Sequence, residues 1–319
     1  MKGLTDIPGI KVGQIADYDA ITGCTAILCE QGAVGGVDIR GSASGTEETP
    51  ALDPGHITPQ IHGILLAGGS AFGLEAAAGV RRYLEHKGVG FPTGSANVPI
   101  VAAAILYDLG IGKPNVRPTL AMGEAAAAAA TTDAVAEGCV GAGTGATVGK
   151  ILGMKNAMKS GLGTFTVELP GGLMVSALVA VNAVGDVRDP ATNRILAGAR
   201  KTSGSREFLD TIEHMKRSAA APPVDRAVKN TTLAVVATNA RLNKVQTNKL
   251  AQLAGLGMAR TIYPANTMAD GDTTFALASG GHEADVNVLG VAAAEAVASA
   301  ILRAVKLART MGGVPGLAG

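Results

Sequence analysis

The chain has 319 residues, 47% of them hydrophobic and 17% charged, with a formal net charge of +1 at pH 7. No run of Lys and Arg interleaved with aromatics occurs, which argues against a nucleic-acid or polyanion partner. Aromatics make up 3% and Trp is absent, so a core of this size must be built from Ala, Val, Leu and Ile, with 44 glycines permitting tight turns and close backbone approach.

The first residues, "MKGLTDIPGIKVG", lack a basic region followed by an apolar run, so no signal peptide is expected and a reducing cytoplasm is the expected location. Cys24, Cys29 and Cys139 share no metal-ligand spacing and are expected to be buried free thiols, with no metal site. "GCTAILCE" and "HGILLAGGSA" read as buried strands. "SAFGLEAAAGVRRYLEHKG" reads as an amphipathic helix capped by Ser70 and stopped at Gly88. "VPIVAAAILYDLG" fits a strand, a buried helix segment or both. "RPTLAMGEAAAAAATTDAVAEG" predicts an Ala-rich helix packed on other helices.

"GTFTVELPGGLMVSALVAVNAVG" has the pattern of a β-hairpin turning at "PGG". Residues 186–229 then become polar and aperiodic, and a long, exposed, mobile segment is expected there. Order resumes with the strand "TTLAVVATNA", the helix "NKVQTNKLAQLAGLGMARTI", the strand "TTFALASG" and a closing helix from "VNVLG" onward. That helix carries charges at helical spacing and is expected to fall short of a membrane span. Strands on both sides of the polar segment predict one mixed α/β domain over 1–319.

Three motifs carry chemistry. "GCVGAGTGATVGK" fails the phosphate-loop pattern, because Thr144 and Ile151 stand where Gly and Ser or Thr are required. It also fails as a dinucleotide fingerprint, since it follows a helix pattern and no acidic partner is placed. It reads instead as a Gly-rich turn approaching a site, with Lys150 at its end. In "MADGDTTFAL", Asp270 and Asp272 flank Gly271. That is either a solvated turn or a pair of acceptors able to orient an amine or hydroxyl, and two carboxylates so close can split their pKa values.

The third motif is "NTT" at 230–232. A glycosylation reading needs a secreted context, and a helix cap fails because strand-like residues follow. A polar turn before a strand and a self-cleavage site both remain. In the second case the Thr231 hydroxyl attacks the Asn230 carbonyl and the peptide shifts to an ester. Hydrolysis then leaves Thr231 as a new N-terminus, whose α-amine, titrating near ~7.7–8.0, serves as general base.

The ordered set "ADYDAITGCTAIL", "GAVGGVDIRGSASGTEE", "LAGGSAFGLEAAAGV", "ILYDL", "GAGTGATVGK", "VAVNAVGDV", "NTTLAVVATNA" and "MADGDTTFAL" resembles the DmpA-type peptidase family over roughly residues 5–305. That family comprises L-aminopeptidase/D-esterases, β-aminopeptidases and nylon-oligomer hydrolases. The resemblance implies a four-layer α/β/β/α sandwich, cleaved into 1–230 and 231–319, that assembles into homo-oligomers such as a tetramer of cleaved pairs. It also implies hydrolysis of amide bonds in small peptides, amino-acid amides or esters, or 6-aminohexanoate oligomers, through an acyl-Thr231 ester and without cofactor or metal. A non-catalytic oligomeric protein retaining the fold is the rival.

By the same resemblance, Thr231 matches the nucleophile, Asn230 the residue before the cut, Asn182 the oxyanion-holding amide and Tyr107 an active-site tyrosine. Members with a Ser nucleophile carry a Ser/Glu pair where this chain has Asp270 and Asp272. Together with Lys150 and a Thr, that departure points to the nylon-oligomer hydrolase branch. The aspartates are expected to orient the Thr231 amine and hydroxyl, with Lys150 balancing their charge.

Overall fold

A computed structural model describes residues 2–219 and 230–318. Its strands run β1 (Lys11–Asp17), β2 (Thr22–Ile39), β3 (Thr46–Glu47), β4 (Ile61–Ala67), β5 (Phe91–Pro92), β6 (Asn97–Val98), β7 (Val101–Ile105), β8 (Thr147–Val148) and β9 (Met158–Lys159). They continue as β10 (Leu162–Leu169), β11 (Leu173–Asn182), β12 (Asp186–Arg188), β13 (Ile195–Ala197), β14 (Thr231–Ala240), β15 (Ile262–Tyr263) and β16 (Thr273–His282). The helices are α1 (Glu75–His86), α2 (Leu120–Ala128), α3 (Thr211–Arg217), α4 (Lys244–Thr261) and α5 (Val286–Lys306).

The long strand β2 makes the architecture. Its first half pairs with β1 and β4, its second half with β16, and the register shifts between Leu28 and Ala33. The strand order β10-β11-β14-β16-β2-β4-β7-β3 is therefore continuous, with β14–β16 and β4–β7 parallel and the other neighbours antiparallel. Three cores show that this path doubles back on itself. Leu178, Leu233, Val235, Phe275 and Leu277 pack with Ile27, Ile64, Leu66 and Ala104 between the two β layers. Val179, Ala234, Val236 and Ala276 face α4 and α5 on one outer side. Leu28, Leu65, Ala103 and Val101 face α1 and α2 on the other. The result is the four-layer α/β/β/α sandwich.

Alternation along β14 explains its sequence, since odd positions face the second sheet and even ones the helices, so neither face sees water. Scarcity of aromatics is met by backbone proximity. A Cβ on Gly123 would stand 1.8 Å from the Ala76 carbonyl oxygen, so α1 and α2 cross at a contact only glycine allows. The hairpin turns at Pro170–Gly172 as expected, with Leu169 opposite Leu173. The segment around 101 resolves as a strand, and the three cysteines are buried and free.

Four expectations are corrected. Ser70 caps nothing: it sits at φ 54° in a 3-10 turn, its N–H donating to Leu106 O, and α1 begins at Glu75. The Ala-rich helix spans only Leu120–Ala128, because Thr131 is drawn onto the edge of β1 by hydrogen bonds to Val12. Helix α5 is long and apolar enough to cross a membrane by composition, with mean hydropathy 1.8, but 67% of that window is buried inside the protein. Within 186–219 the chain is ordered, forming β12, β13 and α3, while 220–229 lie outside the described residues. What orders it is Asp186, whose carboxylate accepts from Ala199 N (3.0 Å), Thr211 N (2.8 Å) and Thr211 Oγ1 (2.8 Å).

Candidate active site

Antiparallel pairing of β11 with β14 sets Asn182 directly opposite Thr231. By strand parity Asn182 shares the face of Leu178 and Ala180, and Thr231 that of Leu233 and Val235, so both side chains point between the sheets. Asn182, Asn230, Thr231, Asp270 and Asp272 are all buried. The parallel bridge from Asn230 to Asp270 brings the "ADGD" turn alongside. A solvated turn is therefore excluded for the two aspartates.

At the centre stands the Asn230 carbonyl. It accepts a hydrogen bond from Thr231 Oγ1 at 2.5 Å and another from the Gly271 N–H at 2.9 Å. Residue 271 must be glycine here, because a Cβ would lie 2.7 Å from Thr231 Oγ1 and 2.7 Å from Ala43 O. The Gly271 N–H was not singled out from the sequence. The signal was present as the residue between two aspartates, but a D-G pair reads first as a turn.

Asp272 holds the chain just past Thr231. Its Oδ1 accepts the Thr232 N–H at 2.6 Å and its Oδ2 the Asn266 N–H at 2.8 Å. Asp270 receives Thr267 N (3.1 Å) and Thr267 Oγ1 (2.5 Å) on Oδ2. With the 230–231 peptide bond intact, Thr231 Oγ1 bonds the Asn230 carbonyl rather than either carboxylate. Burial raises both aspartates above the usual carboxylate range, and the Asp270 charge pushes Asp272 further.

Asn182 is gripped from three sides. Its Oδ1 accepts from Lys150 Nζ (2.8 Å) and Thr147 N (3.1 Å), and its Nδ2 donates to the Tyr107 carbonyl oxygen (2.9 Å). Lys150 Nζ also donates to Asn182 O at 2.8 Å. Burial pushes Lys150 down to about 7, against the upward pull of Asp270, Asp272 and Asp108. Thr147 was another residue missed, since nothing in "GTGATVGK" marks its N–H as an Asn ligand. A small cleft of about 30 Å³ adjoins this group, lined by Tyr107, Asp108, Ile111, Thr147, Lys150 and Met154. The Gly-rich turn thus supplies backbone and one lysine to the site, as its sequence implied. All six expected residues, Tyr107, Lys150, Asn182, Thr231, Asp270 and Asp272, converge.

The model of Peptidase family S58 matches residues 2–318. The chain belongs to Peptidase family S58. It is accordingly a hydrolase of peptide or amide bonds. An uncharacterized aminopeptidase of Mycobacterium tuberculosis (strain H37Rv) is 40% identical over 344 residues, covering 99% of this chain and 96% of that protein. The 6-aminohexanoate-oligomer endohydrolase of Kocuria sp. (strain KY2) is 32% identical over 314 residues, covering 94% and 85%. Among solved structures, the L-aminopeptidase D-Ala-esterase/amidase of Ochrobactrum anthropi superposes with a TM-score of 0.73 at 21% identity, covering 98% of this chain and 88% of that one. A Burkholderia sp. β-aminopeptidase gives 0.69 at 24%, covering 99% and 90%. At those identities the likeness establishes the fold, a variant of the Ntn-hydrolase architecture.

Proposed function

We propose that this S58 member is a self-processing N-terminal-nucleophile amidohydrolase whose nucleophile is Thr231. The observation that carries the reading is the Asn230 carbonyl, held between the Thr231 hydroxyl and the Gly271 N–H. Thr231 Oγ1 adds to the Asn230 carbonyl carbon as its proton passes to a neighbouring base. Negative charge then develops on Asn230 O, where the Gly271 N–H already points. Collapse expels the Thr231 nitrogen, which takes up a proton to become an amine and leaves an ester. Water cleaves the ester to an Asn230 carboxylate and a free Thr231 hydroxyl.

The same parts serve the mature reaction. The Thr231 α-amine becomes the nearest base, and the Gly271 N–H and the Asn182 amide are the donors for the substrate oxyanion. Lys150, lowered to about 7, and the raised aspartates form a set able to take and return a proton near neutrality. The names of the relatives and the Asp270/Asp272 pair support oligomers of 6-aminohexanoate, or short amino-acyl amides and esters, as substrates. Assembly of cleaved pairs into homo-oligomers is part of the proposal. It is supported by an exposed apolar strip of Val288 and Val291 on α5.

A denaturing gel with intact-mass analysis tests this reading. Wild type gives fragments 1–230 and 231–319, Thr231→Ala stays whole, and only the cleaved form hydrolyses β-alanyl p-nitroanilide or 6-aminohexanoate oligomers. A Thr231→Ala protein that still hydrolyses these amides at the wild-type rate sinks it.

A further inference from the structure

Lys159 is fully buried, one of the largest side chains among the described residues to be so. Its ammonium has three hydrogens, and three carbonyl oxygens surround it: Ser160 O at 2.7 Å, Ala146 O at 2.8 Å and Gly143 O at 3.3 Å. Two of these belong to the Gly-rich turn that leads into Thr147 and Lys150. In the β8–β9 ladder Lys159 lies directly opposite Thr147, and the Ser160 N–H donates to the same Ala146 carbonyl at 3.0 Å. Next along the chain, the Thr147 N–H reaches Asn182 Oδ1, and Asn182 faces Thr231. One unbroken line of contacts therefore joins Lys159 to the candidate nucleophile.

A cation here is a costly choice, since burial pushes Lys159 down to about 8 although Cys139 and Asp108 pull it up. An apolar side chain would fill the space without that penalty but would strip one donor from each carbonyl, leaving Ala146 O the Ser160 N–H (3.0 Å), Gly143 O the Ala146 N–H (3.2 Å) and Ser160 O the Cys139 thiol (3.8 Å). Only the charged form offers a donor to each of them.

We propose that Lys159 is a positioning residue of the Thr231 site: its ammonium fixes the Gly143–Ala146 turn in the shape that lets Thr147 and Lys150 hold Asn182 against Thr231. The inference rests on the Thr231 reading above. It has a second, electrostatic consequence. The titratable and charged groups facing Lys150 include Asp270, Asp272, Asp108 and Lys159, and those facing Lys159 include Cys139, Asp108, Arg309 and Lys150. Of these four groups around Lys150, Lys159 pushes it toward its neutral form and the three aspartates oppose it. Removing that charge makes Lys150 hold its proton to higher pH.

The test follows kcat and KM of the cleaved protein on β-alanyl p-nitroanilide from pH 6 to 9, with thermal melts as a fold control. Lys159→Met is expected to lower kcat by up to ~10²-fold, the cost of a small misplacement, with KM little changed. The acidic limb of its kcat profile moves to higher pH. Lys159→Gln, which keeps two N–H donors without charge, recovers part of kcat while its limb stays displaced. If Lys159→Met does not fold, Lys159→Gln decides by the limb alone. Wild-type kcat in folded Lys159→Met, or a kcat loss with an unmoved limb, overturns the positioning role. Thr231→Ala is assayed alongside. An active Thr231→Ala refutes the nucleophile assignment itself, whereas an inactive one beside a wild-type-like Lys159 variant refutes only the role of Lys159.

Discussion

Two stretches of this chain look alike on paper and differ in the fold: the Asp186–Arg188 strand with its polar sequel, and the Asp270–Gly271–Asp272 turn. Both are polar, and both carry buried acidic residues. Asp186 spends its carboxylate on three donors from two other segments, with Arg188 Nη2 at 3.8 Å and a second carboxylate, Asp210, at 2.8 Å from that same nitrogen. It is a clasp. Asp270 and Asp272 are crowded against each other and against Lys150, with hydrogen bonds that aim backbone at Thr231. Buried carboxylates whose partners are all structural hold a fold, whereas carboxylates that share a site with each other and a lysine have protons to exchange near neutral pH.

Substitutions turn that contrast into measurements. The largest effect is expected at Gly271→Ala, where the new Cβ meets both Thr231 Oγ1 and Ala43 O. Fragment formation, followed by intact mass, slows by at least ~10²-fold, because the added Cβ displaces the Thr231 hydroxyl and with it the turn that carries the Gly271 N–H. Cleavage at the wild-type rate would show that the close packing of this turn on the Thr231 hydroxyl does not set the geometry of the step. Asn182→Ala comes next, with an expected turnover loss of ~10²-fold and an unchanged circular dichroism spectrum. Wild-type turnover there removes Asn182 from the oxyanion role.

Smaller still is the pH response. Lys150, lowered to about 7, is an ammonium below that value and an amine above it, so its basic form accumulates as pH rises. Hydrolysis is therefore expected to fall as pH drops below about 7, and Lys150→Met should keep only the limb of ~10-fold per unit that the Thr231 α-amine alone supplies. The least effect on chemistry belongs to the clasp. Asp186→Ala orphans buried N–H groups and leaves Arg188 leaning on Asp210 alone, destabilising the fold by about 3 kcal/mol in urea titration. Per folded molecule it should hydrolyse amides like the wild type. A specific loss of turnover in that variant would break the distinction drawn between the two acidic stretches.

Much of this was legible in the residues. Strands read as apolar runs because both faces of β14 and β11 are covered, and the hairpin announced itself through Pro170 and two glycines. Ser70 misled because a helix cap and a left-handed turn residue share one composition, and only the pull of Leu106 O decides between them. Residues 186–219 misled on order and not on exposure: 190–194 and 201–204 are exposed as expected, but Asp186 ties the segment to Ala199 and Thr211, partners invisible to a local window.

The sequence by itself determined the alternation of layers, the six residues that converge and the place of Asn230–Thr231 at the mouth of a buried strand. Periodicity and turn chemistry are local, and the ordered motifs carried the resemblance. The tertiary structure alone decided that Tyr107 also contributes its carbonyl, that Gly271 donates its N–H, and that Lys159 braces the turn behind Asn182. Each of those is a backbone contact between segments far apart in the chain, and a backbone amide carries no signature of its partner in its own residue type.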